Sequence, residues 1–207
     1  MLNHWVVEPA SSQQTDSLAE LLLASSPNLL SHILSNGNKT EAKEYLRYAL
    51  SLPDGQYGYL NHKVIKYNDS VIGIACAWHD QLPNTFDQCT IDSLHHFFGI
   101  QACLQIFKRS SALLTEIARP SCQQLVIGHV STDQNFRRRG VATALLDYFI
   151  QRAKTLAKEQ LVVDVEKQNI QALKCYLSLG FKHLNHNHNK PFLRLTKPVI
   201  PNVKISQ

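Results

Sequence analysis

The apolar positions of the chain follow two rhythms, one of period two and one near 3.6, and the switches between them mark its elements. Trp5, Val6 and Val7 make a short apolar run closed by Pro9, the pattern of a first strand. A Ser/Gln/Thr stretch follows, in which Thr15 or Asp16 can cap a helix that runs through Leu23 until Pro27 stops or kinks it. Beyond Asn36-Gly37-Asn38, the spacing of Tyr45, Leu46, Ala49 and Leu50 predicts a second helix, ended by Pro53-Asp54-Gly55. Two β runs come next, 57–67 and 70–78, joined at Asn68-Asp69 in the manner of a tight hairpin.

Period-two alternation then disappears. Over 80–121 the residues Leu94, Phe97, Phe98, Ile100, Leu104, Ile106 and Phe107 predict one or two helices, broken near Gly99. The β pattern returns at 124–132, and 140–158 carries a long amphipathic stripe through Val141, Ala144, Leu145, Tyr148, Phe149, Ala153 and Leu156. A short buried strand at 161–165, a helix at 169–179 stopped by Gly180, and a closing hairpin from 181–187 and 192–196 complete the pattern. Helices and strands share the chain, so the expected class is α/β of the mixed α+β kind. Its sheet is flanked by helices, and the helical segment 80–121 is inserted between the third and fourth strands. No linker interrupts the pattern, which predicts a single domain over 1–207.

Composition agrees with a folded chain of this kind. Of 207 residues, 44% are hydrophobic and 18% charged, enough to build a core without a disulfide or a metal. The five cysteines, Cys76, Cys89, Cys103, Cys122 and Cys175, form no CxxC pair and read as reduced thiols. No apolar run approaches the roughly 18 residues of a membrane span, and the first residues lack the pattern of a secretory signal. The expectation is a cytoplasmic protein with no membrane partner. A net charge of +5 leaves nucleic acid, anionic lipid and phosphorylated ligands all open.

One turn narrows that choice. Arg137-Arg138-Arg139-Gly140-Val141-Ala142 lies between a predicted strand and the long helix. A helix start presents unpaired N–H groups and partial positive charge, Gly140 lets the backbone approach a diphosphate, Ala142 keeps the surface small, and Thr143 adds a hydroxyl. The same turn can also be a plain solvated helix start. Neither GxxxxGK[ST] nor GxGxxG occurs anywhere in the chain.

These residues resemble the GNAT superfamily of acetyl-CoA-dependent N-acyltransferases. Its signature, Arg or Gln, two residues, Gly, one residue, then Gly or Ala, has Arg137, Gly140 and Ala142 at matching places, with the aromatic Phe136 just before. A second block is similar as well: Val163-Asp164-Val165, then Asn169, Ala172, Tyr176, Gly180 and Phe181. The resemblance covers 124–187 well, 57–78 by pattern only, and 80–121 not at all.

The resemblance implies a mixed sheet splayed between its fourth and fifth strands, with acetyl-CoA as co-substrate in the gap. The diphosphate would rest on the backbone of Arg138, Arg139, Gly140, Val141 and Ala142, aided by Thr143 and the charge of Arg137. Pantetheine would lie along the strand from Val130 to Thr132, held also by Asn169, and the Thr132 N–H would stabilise the oxyanion of a tetrahedral intermediate. Tyr176 matches the family's acid for the leaving thiolate, although a tyrosine at that helical spacing is otherwise an ordinary core residue. The implied reaction is direct transfer of acetyl to a primary amine, on a small molecule or a protein. A non-catalytic acyl-CoA-binding module is the alternative.

The base is less plainly marked. Many members carry a Glu early on the fourth strand, whereas Val126 and Gly128 occupy that face here. His129 is on the same strand, but period two points it away from Gly128 unless a bulge resets the register. Asp164 and Glu166 share one face of the fifth strand, and either can bind or deprotonate an amine through water. His183, His186 and His188 lack acids or cysteines nearby, and no metal is expected. The insertion can cap the acceptor pocket, form a homodimer surface, or simply complete the core. A coenzyme with several phosphate charges suffices for the arginines, so no nucleic acid is needed.

Overall fold

A computed structural model describes residues 4–114, 117–184 and 191–199. Among the described residues, seven strands form one mixed sheet in the order β1-β2-β3-β4-β5-β7-β6, accompanied by six α-helices. By internal contacts the chain divides into two compact units. One comprises Met1–Cys76, Leu82–Thr115 and His129–Leu145, the other Ala77–Gln81, Glu116–Gly128 and Leu146–Gln207.

In the first unit, β1 (Val7–Pro9) and β3 (Ser70–Trp78) flank β2 (His62–Tyr67), and both pairings are antiparallel. The hairpin at Asn68-Asp69 is present, with φ of 47° and 62°. Two left-handed residues match the strand twist, and Asn and Asp tolerate that conformation better than most. β1 starts later than expected and includes Pro9, which is tolerated there because the strand lies at the sheet edge. Residues 57–61 are turns rather than strand, so β2 begins only at His62.

Helices α1 (Thr15–Ser25), α2 (Pro27–Ser35) and α3 (Lys39–Ala49) pack on one another. The sequence pattern did not predict α2. Pro27 does end α1, but it also opens α2, because a first-turn position needs no N–H from it. The insertion folds as α4 (Thr85–Leu114), and Gly99 breaks it with φ 76° and ψ 169°. It completes the core: Leu94, Cys103 and Ile106 are buried with Leu18, Leu22, Leu34, Tyr45, Leu46 and Leu50. Polar ties fix it further. The Tyr45 hydroxyl lies 3.0 Å from Ser93 Oγ, Arg109 Nε donates to the Ile33 carbonyl at 2.8 Å, and the Gln56 N–H donates to Thr90 Oγ1 at 2.8 Å.

β4 (Gln124–Thr132) enters the second unit with its residues 124–128, where it runs parallel to β5 (Gln160–Glu166), with a ladder from Gln124↔Gln160 to Ile127↔Val163. β5 pairs antiparallel along its full length with β7 (Phe192–Pro198), which carries β6 (Lys182–His183) on its other edge. The expected strand 181–187 is therefore represented by two residues, and its tip, with His186 and His188, lies outside the described residues. Helix α5 (Val141–Thr155) and α6 (Ile170–Ser178) complete the set. Lys158, buried after α5, pairs with Asp80 and donates to the Cys122 carbonyl at 2.8 Å, which ties 77–81 to the approach to β4.

Candidate functional site

In the first unit the site begins where β4 changes hand. His129 has φ 52° inside the strand, the local reset that a bulge makes. Its ring lies 5.8 Å from Tyr57 and 6.2 Å from His62, the two imidazoles tilted by only 30°. Burial pushes His129 down to about 3, with the charge of His62 adding to the effect. His62 falls to about 4 for the same reason, although its Nδ1–H donates to the Gly58 carbonyl at 2.9 Å. Both rings are neutral near pH 7, and a histidine held so low is a poor acceptor for an amine proton.

Past His129 the two edges of the strand differ. The Asp133 N–H donates to the Ile72 carbonyl of β3 at 2.8 Å. Because N–H directions alternate along a strand, the Thr132 N–H points to the opposite edge of β4. Val130 and Thr132 also lie beyond the last β4–β5 pair, Ile127↔Val163.

The turn that follows is built locally. Asp133 Oδ1 accepts the Asn135 N–H at 2.8 Å and caps a single turn over Gln134–Phe136. Arg138 and Gly140 are then both left-handed, with φ of 60° and 82°. The Gly140 carbonyl accepts the Ala144 N–H at 2.9 Å and starts α5. First-turn amides of a helix have no intrahelical partner, so those of Val141, Ala142 and Thr143 face outward with the positive end of the dipole. A Cβ at Gly140 would meet nothing nearer than Trp5 Nε1, at 3.9 Å. Room, amides and the charges of Arg137, Arg138 and Arg139 together fit a diphosphate.

Two residues that the sequence reading missed support this turn. Gly73 on β3 allows α5 to start close, since a Cβ there would lie 2.5 Å from Val141 Cγ1. Trp5 donates its indole N–H to the Arg139 carbonyl at 2.7 Å. No spacing rule connects residue 5 to residue 139; the one visible signal was a tryptophan beside an otherwise ordinary edge strand.

The second unit holds the remaining candidates. Asp164 accepts from Arg194 through both oxygens, at 2.8 Å from Nε and 2.7 Å from Nη2, and Arg194 Nη2 also donates to the Ala118 carbonyl. Both oxygens of this carboxylate are therefore taken up by the guanidinium. Glu166 closes β5, and its carbonyl accepts the Asn169 N–H at 2.8 Å. Asn169 caps α6, its Oδ1 accepting the Ala172 N–H at 3.1 Å. Tyr176 is 9% exposed and packs edge-on against Phe181 at 5.5 Å. Burial raises its phenol above the ordinary value near 10, so it keeps its proton. Gly128 is roofed by Trp78: a Cβ there would come within 2.1 Å of Trp78 Cζ3. Among the described residues, no three His, Cys, Asp or Glu are grouped to hold a metal ion.

Residues 28–181 match the family model described as acetyltransferase (GNAT) family. Among curated proteins none matches the chain by sequence. Solved structures are similar in fold. One is a crystal structure of an acetyltransferase, with TM-score 0.61 and 21% identity over 94% of this chain and 100% of that one. An N-acetyltransferase from Staphylococcus aureus Mu50 has TM-score 0.65 and 15% identity over 93% and 100%. The ribosomal-protein-S18-alanine N-acetyltransferase from Escherichia coli has TM-score 0.51 and 9% identity over 98% and 99%.

Proposed function

Since the chain belongs to the acetyltransferase (GNAT) family and is an acyltransferase, we propose that it moves an acetyl group from acetyl-CoA to a primary amine by direct attack, with both units acting as one domain. The observation that carries this reading is the turn 137–143, where left-handed Arg138 and Gly140 open a glycine face beside the first amides of α5. Acetyl-CoA supplies the activated thioester.

The backbone amides of Arg138, Arg139, Gly140, Val141 and Ala142 and the Thr143 hydroxyl hold the diphosphate, and Arg137, Arg138 and Arg139 neutralise it. Val130 and Thr132 bind the pantetheine amides as an added strand would, with the Asn169 NH2 as a further donor. The Thr132 N–H stabilises the oxyanion. Tyr176 gives its proton to the departing sulfur and recovers one from solvent between turnovers. For the base, His129 is held neutral and Asp164 is paired, so Glu166 is the candidate carboxylate best able to take a proton, through water. An amine that arrives partly neutral asks little of it.

Titration calorimetry with CoA tests the cradle. Wild type is expected to bind, and Gly140→Glu to lose at least about a hundredfold in affinity, since it sets a like charge and a strained side chain against the diphosphate. Equal binding would remove the cradle assignment. Thiol release from acetyl-CoA across a panel of amines then tests turnover. The second reading, an acyl-CoA-binding module without turnover, draws on Trp78: its indole fills the space over Gly128 where the family's strand-four carboxylate would stand. Firm CoA binding with no thiol release for any amine would favour it.

A further inference from the structure

The turn that fits the diphosphate contains a peptide with little to hold it. The plane between Arg139 and Gly140 is flanked by a glycine, whose missing Cβ makes rotation of that plane inexpensive. In a trans peptide the carbonyl oxygen and the following N–H point in opposite directions, and no peptide among the described residues is cis. The direction of the Arg139 carbonyl therefore sets the direction of the Gly140 N–H.

Trp5 sets the carbonyl. Its Nε1–H donates to the Arg139 oxygen at 2.7 Å. An indole nitrogen is a donor only, so a flipped plane would turn the Gly140 N–H toward another N–H and leave both without an acceptor. The indole is itself fixed: Tyr67 and Phe136 pack edge-on at 6.3 and 6.4 Å, and those two rings lie 5.2 Å apart. Phe136 also carries the Arg139 guanidinium, 5.2 Å from its ring centre. Main chain and side chain of Arg139 are thus both held by one aromatic group. Trp5 stands outside residues 28–181, the part that the family model matches.

We propose that Trp5 is a positioning residue for the acyl donor, locking the Arg139–Gly140 peptide so that the Gly140 N–H is presented to the coenzyme diphosphate. The inference rests on the acetyl-CoA reading given above. It makes the effect of Trp5 specific to the part of the ligand that carries the diphosphate.

The test compares two probes, CoA and pantetheine, which lacks the diphosphate, titrated into wild type and Trp5→Phe by calorimetry and by NMR. Phenylalanine keeps an aromatic ring and removes the N–H. Trp5→Phe is expected to weaken CoA about three- to tenfold, the worth of one hydrogen bond, and to leave pantetheine within about twofold of wild type. A merely structural tryptophan would weaken both probes alike, and that result, or unchanged CoA affinity, overturns the proposal. Wild type that binds neither probe overturns the acetyl-CoA reading itself, a different result from a wild type that binds CoA as well as the variant does. If Trp5→Phe is partly unfolded at the assay temperature, Tyr67→Leu, which takes one packed ring from the indole and leaves Phe136 against it, reads the same ratio of the two affinities.

Discussion

His62 and His129 sit ring to ring, and both stay neutral in the folded chain, His62 down to about pH 4 and His129 to about pH 3. Unfolded, each takes up a proton near pH 6.5. Between those limits the unfolded state binds more protons, so stability falls as the pH drops below 6.5 and is level above it. Each ring contributes about 1.4 kcal/mol per pH unit to that fall. The urea midpoint should thus hold from pH 8 to 7 and decline toward pH 5, with His62→Gln reducing the slope by about half. A midpoint that is flat from pH 7 to 5 would contradict the buried neutral pair. Tyr176 offers a second check. Tyr176→Phe should lower kcat by a factor of about 100 or more and change the CoA dissociation constant by less than about twofold; equal losses in both would make it a packing residue. Of these side chains, Tyr176 is the one that a motif singles out, and its role is the one proposed above. His129 was visible as a residue, but its left-handed φ and the partner His62 were not, since both depend on strands distant in sequence.

At the scale of elements, the placing of α5 depends on one missing methyl group. Gly73→Val would drive a side chain into Val141 Cγ1, already 2.5 Å from an added Cβ. Overpacking of this kind costs about 1–3 kcal/mol, and it strikes the first turn of α5. Gly73→Val should lower both the melting temperature and CoA affinity, whereas Gly37→Ala, whose added Cβ meets nothing within 4 Å, should lower the melting temperature modestly and leave CoA binding alone. Equal CoA affinity in Gly73→Val would mean that α5 moves without consequence for the turn. Long periodic elements such as α5 and the strand 124–132 were readable from their patterns to within a few residues. α2 was not, because proline marks the end of one helix and the start of another equally well. The glycine at 73 was unreadable for a different reason: its use lies in what approaches it.

For the molecule as a whole, the insertion is inseparable from the core. Leu94 and Ile106 are buried with α1, α2 and α3, while Ile100, Leu104 and Phe107 face outward. Ile100→Ser should therefore be nearly neutral in a thermal melt, and Ile106→Ser should cost several degrees or more, about 2–4 °C per kcal/mol at this chain length. CoA at one hundred times its dissociation constant should add about 2.7 kcal/mol, and a single transition shifted upward as one would fit a single acyltransferase domain. Two resolved transitions, only one of them shifted, would separate the units. The sequence alone pointed to a family through two short blocks, and it left the role of 80–121 open because its helices match no motif and their burial is a tertiary fact.

The chain has only two tryptophans, and the fold gives each a distinct post: Trp5 on the Arg139 carbonyl and Trp78 across Gly128. That arrangement makes the molecule its own fluorimeter. With Trp78→Phe the whole indole emission comes from the ring bonded to the turn, so its wavelength, lifetime and quenching follow the occupancy of that turn in real time, without a label and without knowledge of the acceptor amine.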